Sequence, residues 1–448
     1  MDAIKLSELL QGIATVKNEQ IITQVTTDSR DAGENSLFLA IRGERVNGED
    51  YAAGAVSRGA VFVLTENFIP DIPRDMQAVV PDILDASIQM GANVRAKYDI
   101  KIVGVTGSVG KTTTKDFVYA ALSPFARTVK NTGNQNNELG MPNTIYKFTH
   151  RDKYAVLEMG MQSLGDIHKL SMAAKPVGAI ITGIGISHLE RLKTRENILK
   201  AKLEICDGMP DDGILVLNGD DDYLPGVTLD KPYKTVYFSI ENPQADVRAA
   251  DIVQNGRATD FIIKDKEYGD IPCHIPTVGN HNVLDAISAY ALVTRLGFPP
   301  QQTAENLAGY TVSGMRQNMV EKNDVLFIED CYNAAPDSMK ASIDTLKSVA
   351  KGRTIAVLGD MLELGDDSRR LHRQVGEYAR AKGVDILLTC GERAKDIAAG
   401  FGSDAMCFDD QRRLAARVKE ILRSGDTIVF KASFMMRFDM LLQKIYEV

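Results

Sequence analysis

The 448-residue sequence has no tryptophan, 6% aromatic residues, six histidines and five cysteines. The cysteines (Cys206, Cys273, Cys331, Cys390 and Cys407) are scattered, and no two stand at C-x-x-C spacing. That pattern excludes a zinc ribbon and a disulfide framework, and fits reduced thiols in a cytoplasmic protein. A basic excess is also missing. The formal net charge is -8, so neither nucleic acid nor an anionic membrane surface is attracted in bulk. No apolar run approaches the roughly 20 residues needed to span a bilayer. The first stretch, "MDAIKLSELLQGIA", is acidic early and amphipathic, unlike the basic-then-apolar layout of a signal peptide. Internal repeats and low-complexity tracts are absent.

What is present is ordinary globular material, 44% hydrophobic and 25% charged. The length suits roughly two to four domains. Residues 1–82 carry short strand-like runs, "QVTTDSR", "NSLFLAIRG" and "AVFVLTE", with a helical "YAAGAVSRGA", which together read as a small α/β domain. The proline-rich "NFIPDIPRDMQAVVPDI" reads as a boundary. Residues 83–311 alternate helices with the apolar runs "IKIVGVTG", "YAVLEMG", "VGAIITGIG" and "GILVLNGD". Alternation of this kind predicts a mostly parallel sheet covered on both faces. Short strands from about Tyr233 predict an antiparallel patch closing that domain, before the helix "NHNVLDAISAYALVTRLG". Residues 312–448 repeat the alternation and predict a second doubly wound, Rossmann-like α/β domain.

The chemistry begins at "GVTGSVGKTTTK". A strand feeds the loop and the loop feeds a helix, as a phosphate-binding loop requires. The usual long pattern has a glycine six residues before the lysine, where this chain has Val105. Gly107 and Gly110 nevertheless allow a tight turn. The backbone N–H groups from Gly107 through Ser108, Val109, Gly110, Lys111, Thr112 and Thr113 would gather at a helix N-terminus, where anions are favoured. Lys111 would reach the terminal phosphates, and the Thr112 hydroxyl would ligate magnesium. A bland glycine–serine turn with an exposed lysine is the competing reading.

Further candidates sit at other strand ends, where open α/β sheets bind ligands. Glu158 in "YAVLEMGM" is placed as a magnesium ligand, against a plain strand-capping acid. His188 in "IITGIGISHLERL" lies just past another strand, though a lone histidine is more often structural. Lys200 and Lys202 fall on different faces of a helix, and composition alone leaves both as solvated lysines. In "LFIEDCYNAAPDS" the pair Glu329–Asp330 ends a strand, where an acid can bind ribose. Arg316 in "VSGMRQN" could clamp a transferring phosphoryl group from across a cleft, or be an ordinary surface arginine.

Together "TGSVGKTTT", "NTGNQNNELGMP", "LEMGM", "GISHLE", "KAKLEI", "GNHNVLDA" and "EDCYNAAPDSM" resemble the Mur ligase family of ATP-dependent amide-forming enzymes, over essentially the whole chain. "YNAAPDSM" followed by "VLGDMLELG" is similar to the member that adds D-alanyl-D-alanine to UDP-N-acetylmuramoyl-tripeptide. The Asp-Asn-Pro-Arg signature of the preceding ligase is absent. The resemblance implies an N-terminal domain for the uridine nucleotide, a central ATP-binding domain, and a third domain taking the dipeptide and part of ATP. It also explains the loop, because the family uses a short form, G-x-x-G-K-[ST], which Gly107 to Thr112 fits.

The resemblance implies roles as well. Lys111 and Thr112 hold the β- and γ-phosphates and a first magnesium, with Glu158 as a further ligand. His188 binds a second magnesium, supported by Lys202 if carbamylated. Asn282 contacts adenine, Asp330 the ribose and Arg316 the γ-phosphate. Asn136 and Asn137 face the UDP-sugar, and Ser29 and Arg30 belong to the uridine-side motif. A carboxylate would attack ATP to give an acyl phosphate, which the dipeptide amine then opens. Closure of the third domain onto the second would assemble the site. A cytoplasmic monomer is expected, with no nucleic-acid partner and no membrane insertion.

The chain departs from the family pattern at several points. Asp285 stands where asparagine is usual, Glu49 where histidine is common, and Cys331 where serine is. Ala432 and Phe434 replace glycine and arginine. The alternatives are a Mur-type ligase with another acceptor, such as D-Ala-D-lactate, and a kinase or regulator built on the same phosphate loop.

Overall fold

The structure, a computed structural model, describes residues 1–17, 19–43 and 46–446. Glu44 and Arg45 of the expected uridine-side motif lie outside the described residues. Among the described residues four sheets form; the small antiparallel pair Ile4–Lys5 with Ile21–Ile22 is one, and the three larger sheets give the expected three-domain α/β architecture. The N-terminal sheet runs in the order Gln24–Thr26, Ser36–Leu39, Ala60–Thr65, Gln77–Val79, with every pairing parallel. Its last strand lies inside the proline-rich stretch expected as a linker. Prolines 70, 73 and 81 bracket that strand without interrupting it, and the helix Ile83–Arg95 follows. Asp82 starts this helix by accepting from the Leu84 and Asp85 N–H groups at 2.8 and 2.9 Å.

The central sheet has nine strands among the described residues. Lys101–Thr106 lies between Gly178–Ile181 on one side and Tyr154–Glu158 on the other, all parallel. From Val103 to Thr106 it is buried on both faces, as a near-continuous apolar run in a covered parallel sheet must be. Val105 is fully buried strand and not a defective loop residue. The chain leaves Lys101–Thr106 toward the Tyr154–Glu158 side and leaves Gly178–Ile181 toward the opposite side, so the carboxyl ends of these two neighbours form the switch point where such sheets open a crevice.

The expected antiparallel patch is only partly antiparallel. Lys234–Ser239 pairs parallel with Ile214–Asn218, and Val247–Asn255 joins it in parallel before the two hairpin pairings of Ala258–Asp265 and Gly269–Ile275. These strands extend the central sheet instead of forming a separate layer. In Ala258–Asp265 every second residue is buried, the pattern of a sheet with one face open.

The third sheet runs Asn318–Lys322, Val325–Glu329, Thr427–Lys431, Thr354–Gly359, Ile386–Cys390, Met406–Phe408. All pairings are parallel except the first. The last strand in sequence is therefore inserted in the middle of the sheet, beside the strand that leads into Asp330. All five cysteines are unpaired thiols, as expected. Among the described residues no helix is long and apolar enough to cross a membrane.

Candidate active site

A cleft of about 1130 Å³ opens at the central switch point. That exceeds the usual range for one drug-sized ligand, roughly 300–1,000 Å³, and suits a nucleotide with a second substrate beside it. All three domains line it: Arg42 and Gly43 from the first, the phosphate loop with Glu158 and His188 from the second, and Arg316, Asp330 and Asn333 from the third.

Strand register builds the loop. Thr106 pairs with Ile181, so Gly107 falls opposite Thr182. A Cβ on Gly107 would sit 1.8 Å from Thr182 Oγ1, and its φ of +151° lies in the region that favours glycine. Gly110, at φ +83°, precedes the helix Lys111–Leu122, and a Cβ there would lie 2.6 Å from Asp285 Oδ1. The Thr182 hydroxyl donates to the Val109 carbonyl, and the Gly185 N–H donates to Ser108 Oγ at 2.8 Å. The loop is thus braced from the neighbouring strand end. No acid occupies the first turn of the helix, which keeps its N-terminus attractive to phosphate. Lys111 Nζ folds back to donate to the Gly107 carbonyl at 2.8 Å. Burial pushes its pKa below the usual lysine range, opposed by Glu158 and reinforced by Arg316.

Glu158 ends its strand opposite Val105 and is clamped from several directions. Its Oε2 accepts from Thr112 Oγ1 at 2.6 Å, and its Oε1 accepts from Asn136 Nδ2 at 2.8 Å. Lys115 Nζ lies 3.9 Å from Oε2. Thr112 and Glu158 together form a hard-oxygen pair of the kind magnesium takes alongside phosphate and water oxygens. Among the described residues no cluster of three or more His, Cys, Asp or Glu side chains forms a ready-made cation cage. The residues therefore fit a metal held jointly with a phosphate ligand.

His188 adopts a left-handed conformation, φ +65°, just before the short helix Leu189–Leu192. Its Nδ1 lies 2.7 Å from Glu363 Oε2 of the third domain. The angle is outside hydrogen-bond geometry, so the contact is electrostatic. His188 draws the Glu363 carboxyl below its usual range. Lys202 is 1% exposed. Burial, with the Lys111 charge adding, pushes its pKa well below normal. Lys200, on the same helix, is exposed.

The adenine-side candidates meet across the domain junction. Asn282 Nδ2 donates to the Val278 carbonyl at 2.6 Å and to Gln317 Oε1 at 3.0 Å. Its Oδ1 has no such partner among the described residues and is the acceptor that an exocyclic amine needs. Asp330 accepts from Lys431 Nζ at 2.8 Å and from the Ser342 hydroxyl. The Arg316 guanidinium stacks 3.6 Å from the Tyr332 ring centroid. Asn136 and Asn137 both line the cleft, but Asn137 Oδ1 is engaged by the Gly140 N–H at 2.8 Å, at the entry to the helix Gly140–Ile145.

Gly107, Lys202, Ser29 and Arg30 are not cleft-lining residues. Arg30 is exposed and paired with Asp28 at 2.5 Å. Glu49, in place of the common histidine, accepts from Thr65 Oγ1 and from Asn67 N–H at 2.9 and 3.0 Å, a structural tie. The sequence reading passed over Arg42, Lys115, Gln317, Tyr332, Glu363 and Lys431. A lysine buried in the helix after the phosphate loop was a usable signal for Lys115. The others become visible only once distant strands are neighbours.

Models of three Mur ligase segments match this chain: the Mur ligase family catalytic domain over residues 21–98, the middle domain over 105–293, and the glutamate ligase domain over 315–434. The chain is 36% identical to the UDP-N-acetylmuramoyl-tripeptide--D-alanyl-D-alanine ligase of Bacillus subtilis (strain 168), over 99% of this chain and 97% of that one. The chain belongs to the Mur ligase family. The Escherichia coli (strain K12) ligase of the same name is 32% identical over 91% of this chain and 90% of its own. Among solved Mur ligases, MurF from Acinetobacter baumannii superposes with a TM-score of 0.92 at 28% identity, covering 100% of both chains. MurF ligase from Thermotoga maritima in complex with ADP gives 0.84 at 27% identity, covering 94% of this chain and 96% of that one.

Proposed function

We propose that this chain is the Mur ligase that joins D-alanyl-D-alanine to UDP-N-acetylmuramoyl-tripeptide with ATP, giving the pentapeptide, ADP and phosphate. One observation carries the reading: a single cleft is lined by the phosphate loop, the paired asparagines and the third-domain Asp330–Asn333 segment, in a chain that resembles ligases of that name along its whole length. The matching domain boundaries are 1–82, 83–311 and 312–448.

The tripeptide's terminal carboxylate attacks the γ-phosphorus. A carboxylate O–P bond forms, the bond to the β-phosphate oxygen breaks, and ADP leaves. Two anions must approach, so the site's cations decide the rate. Lys111 exchanges its loop carbonyls for phosphate oxygens, and Arg316, held flat by Tyr332, faces the same charge from the third domain. The dipeptide amine then attacks the acyl carbon, and phosphate departs from the tetrahedral intermediate.

Thr112 and Glu158 are the proposed holders of magnesium, which when bound offsets phosphate charge. His188 is the proposed holder of a second ion. Burial favours the neutral amine of Lys202, the form that adds carbon dioxide to become a carbamate anion, which would support that second ion. Asn282 is assigned to adenine, Asp330 to ribose, Asn136 and Asn137 to the UDP-sugar, and Ser29 and Arg30 to the uridine side. A cytoplasmic monomer, free of nucleic acid and membrane, agrees with the unpaired thiols and the use of ATP.

The test is direct. Purified protein with ATP, magnesium, UDP-N-acetylmuramoyl-tripeptide and a panel of dipeptides and depsipeptides should yield the pentapeptide mass with D-alanyl-D-alanine. Product with D-Ala-D-lactate alone would move the assignment to the other acceptor class. ADP without any amide would make the protein a kinase or regulator.

A further inference from the structure

The segment "VLGDMLELG" is part of the family resemblance, yet none of the roles assigned above uses it. Its Glu363 reaches out of the third domain to the loop that carries His188. Glu363 Oε2 lies 2.7 Å from His188 Nδ1. The two loops also meet through backbone, since the Glu190 N–H donates to the Glu363 carbonyl at 3.2 Å. Gly365 packs beside Glu190, where a Cβ would lie 3.5 Å from the Glu190 Cα. Both contact residues hold left-handed backbone, His188 at φ +65° and Glu363 at φ +63°. Such conformations are unfavourable for a non-glycine residue and persist where surrounding contacts enforce them.

We infer that Glu363 is a positioning residue for His188, fixing the imidazole so that Nδ1 carries the proton and Nε2 is presented to the cleft. Three observations support this. The Nδ1 atom is buried, while the ring as a whole is 23% exposed and lines the cleft. The open edge of the ring is thus the one bearing Nε2. The contact is misaligned for a hydrogen bond, yet at 2.7 Å from a carboxylate oxygen a lone pair on Nδ1 is repelled and a proton there is attracted. Histidines that hold metals commonly give their other ring nitrogen to a carboxylate, which sets the tautomer and orientation. The alternative is a surface ion pair, which contributes little. It would not need two loops in left-handed backbone to bring the partners together.

The consequence is a link between domains. The orienting carboxylate belongs to the third domain, and the oriented histidine to the second. His188 is held ready only when the third domain is docked. This inference rests on the proposed role of His188, and the test separates the two. The full chain is labelled with [15N]histidine, and long-range 1H–15N spectra are taken without metal or nucleotide. The His188 signals are those lost in His188→Gln. Wild type should show Nε2 unprotonated. Glu363→Ala should move the population toward the Nε2–H form, and Glu363→Gln, whose amide oxygen keeps a partial negative charge beside Nδ1, should keep more of the wild-type pattern.

In turnover, the magnesium concentration for half-maximal rate should rise about tenfold in Glu363→Ala, with kcat at saturating magnesium near wild type. The Glu363 side chain is 45% exposed, so the fold should survive, with an unchanged thermal melt as the check. An unchanged tautomer and an unchanged magnesium midpoint in Glu363→Ala would overturn the inference. If His188→Gln shifts the midpoint and Glu363→Ala does not, Glu363 alone loses its role. If His188→Gln also leaves the midpoint unmoved, the assignment of His188 falls with it.

Discussion

Asp285 offers a quantitative test of how the phosphate loop is built. It replaces the family's usual asparagine, is 7% exposed, and accepts from Thr114 Oγ1 at 2.9 Å. Its Oδ1 also fills the space where a Gly110 Cβ would be. Burial raises its pKa from 3.8 to about 8, with the Thr114 hydrogen bond opposing. The unfolded carboxyl loses its proton near 3.8 and the folded one near 8, so between these values the folded state holds one more proton. Stability must therefore fall as pH rises through that window, by about 1.4 kcal/mol per unit and about 6 kcal/mol at most. Asp285→Asn removes the titration and keeps an oxygen for Thr114. Urea unfolding of both proteins from pH 4 to 9 is the assay. The variant's advantage should be near zero at pH 4, grow with pH, and flatten above about pH 8. Above that pH a charged Asp285 also faces the loop that must accept phosphate, so the KM for ATP should rise in wild type and not in the variant. Parallel stability profiles with a constant offset would mean that Asp285 keeps the same pKa in the folded and unfolded chain.

Other expectations follow from single contacts. Gly107→Ala places a methyl 1.8 Å from Thr182 Oγ1, and should lower kcat/KM for ATP at least about tenfold, about 1.4 kcal/mol. Circular dichroism should be unchanged, and adding Thr182→Ala should recover part of the loss. Tyr332→Ala removes the ring beneath Arg316, a contact worth about 1–2 kcal/mol when desolvated. Its kcat should drop while Tyr332→Phe stays near wild type in a phosphate-release assay. If Lys202 is carbamylated, 13C-bicarbonate should give a protein-bound carbamate signal by NMR that is absent from Lys202→Ala, and Lys202→Arg should be inactive because it cannot form one.

Much of the architecture was legible because it is local. The apolar run Lys101–Thr106, the glycines after it and the helix after those are adjacent in sequence, and each carries its own signal. The same holds for Glu158 at a strand end and for the two faces of the Lys200–Lys202 helix. What stayed hidden depends on strand order. Lys431 pairs with Asp330 because the last strand inserts between two much earlier ones, and no periodicity announces that. Glu363 and His188 meet through loops in different domains. The direction of Lys234–Ser239 was misjudged for a related reason, since short strands after a parallel sheet read as hairpins until pairing shows which neighbour each one takes.

The central claim is that the γ-phosphate passes through the peptide carboxylate. The decisive measurement uses UDP-N-acetylmuramoyl-tripeptide labelled with 18O in its terminal carboxylate, incubated with ATP, magnesium and D-alanyl-D-alanine, with the released phosphate weighed by mass spectrometry. An acyl-phosphate route puts one carboxylate-derived 18O in each phosphate for every amide formed. Amide formation with unlabelled phosphate would contradict it.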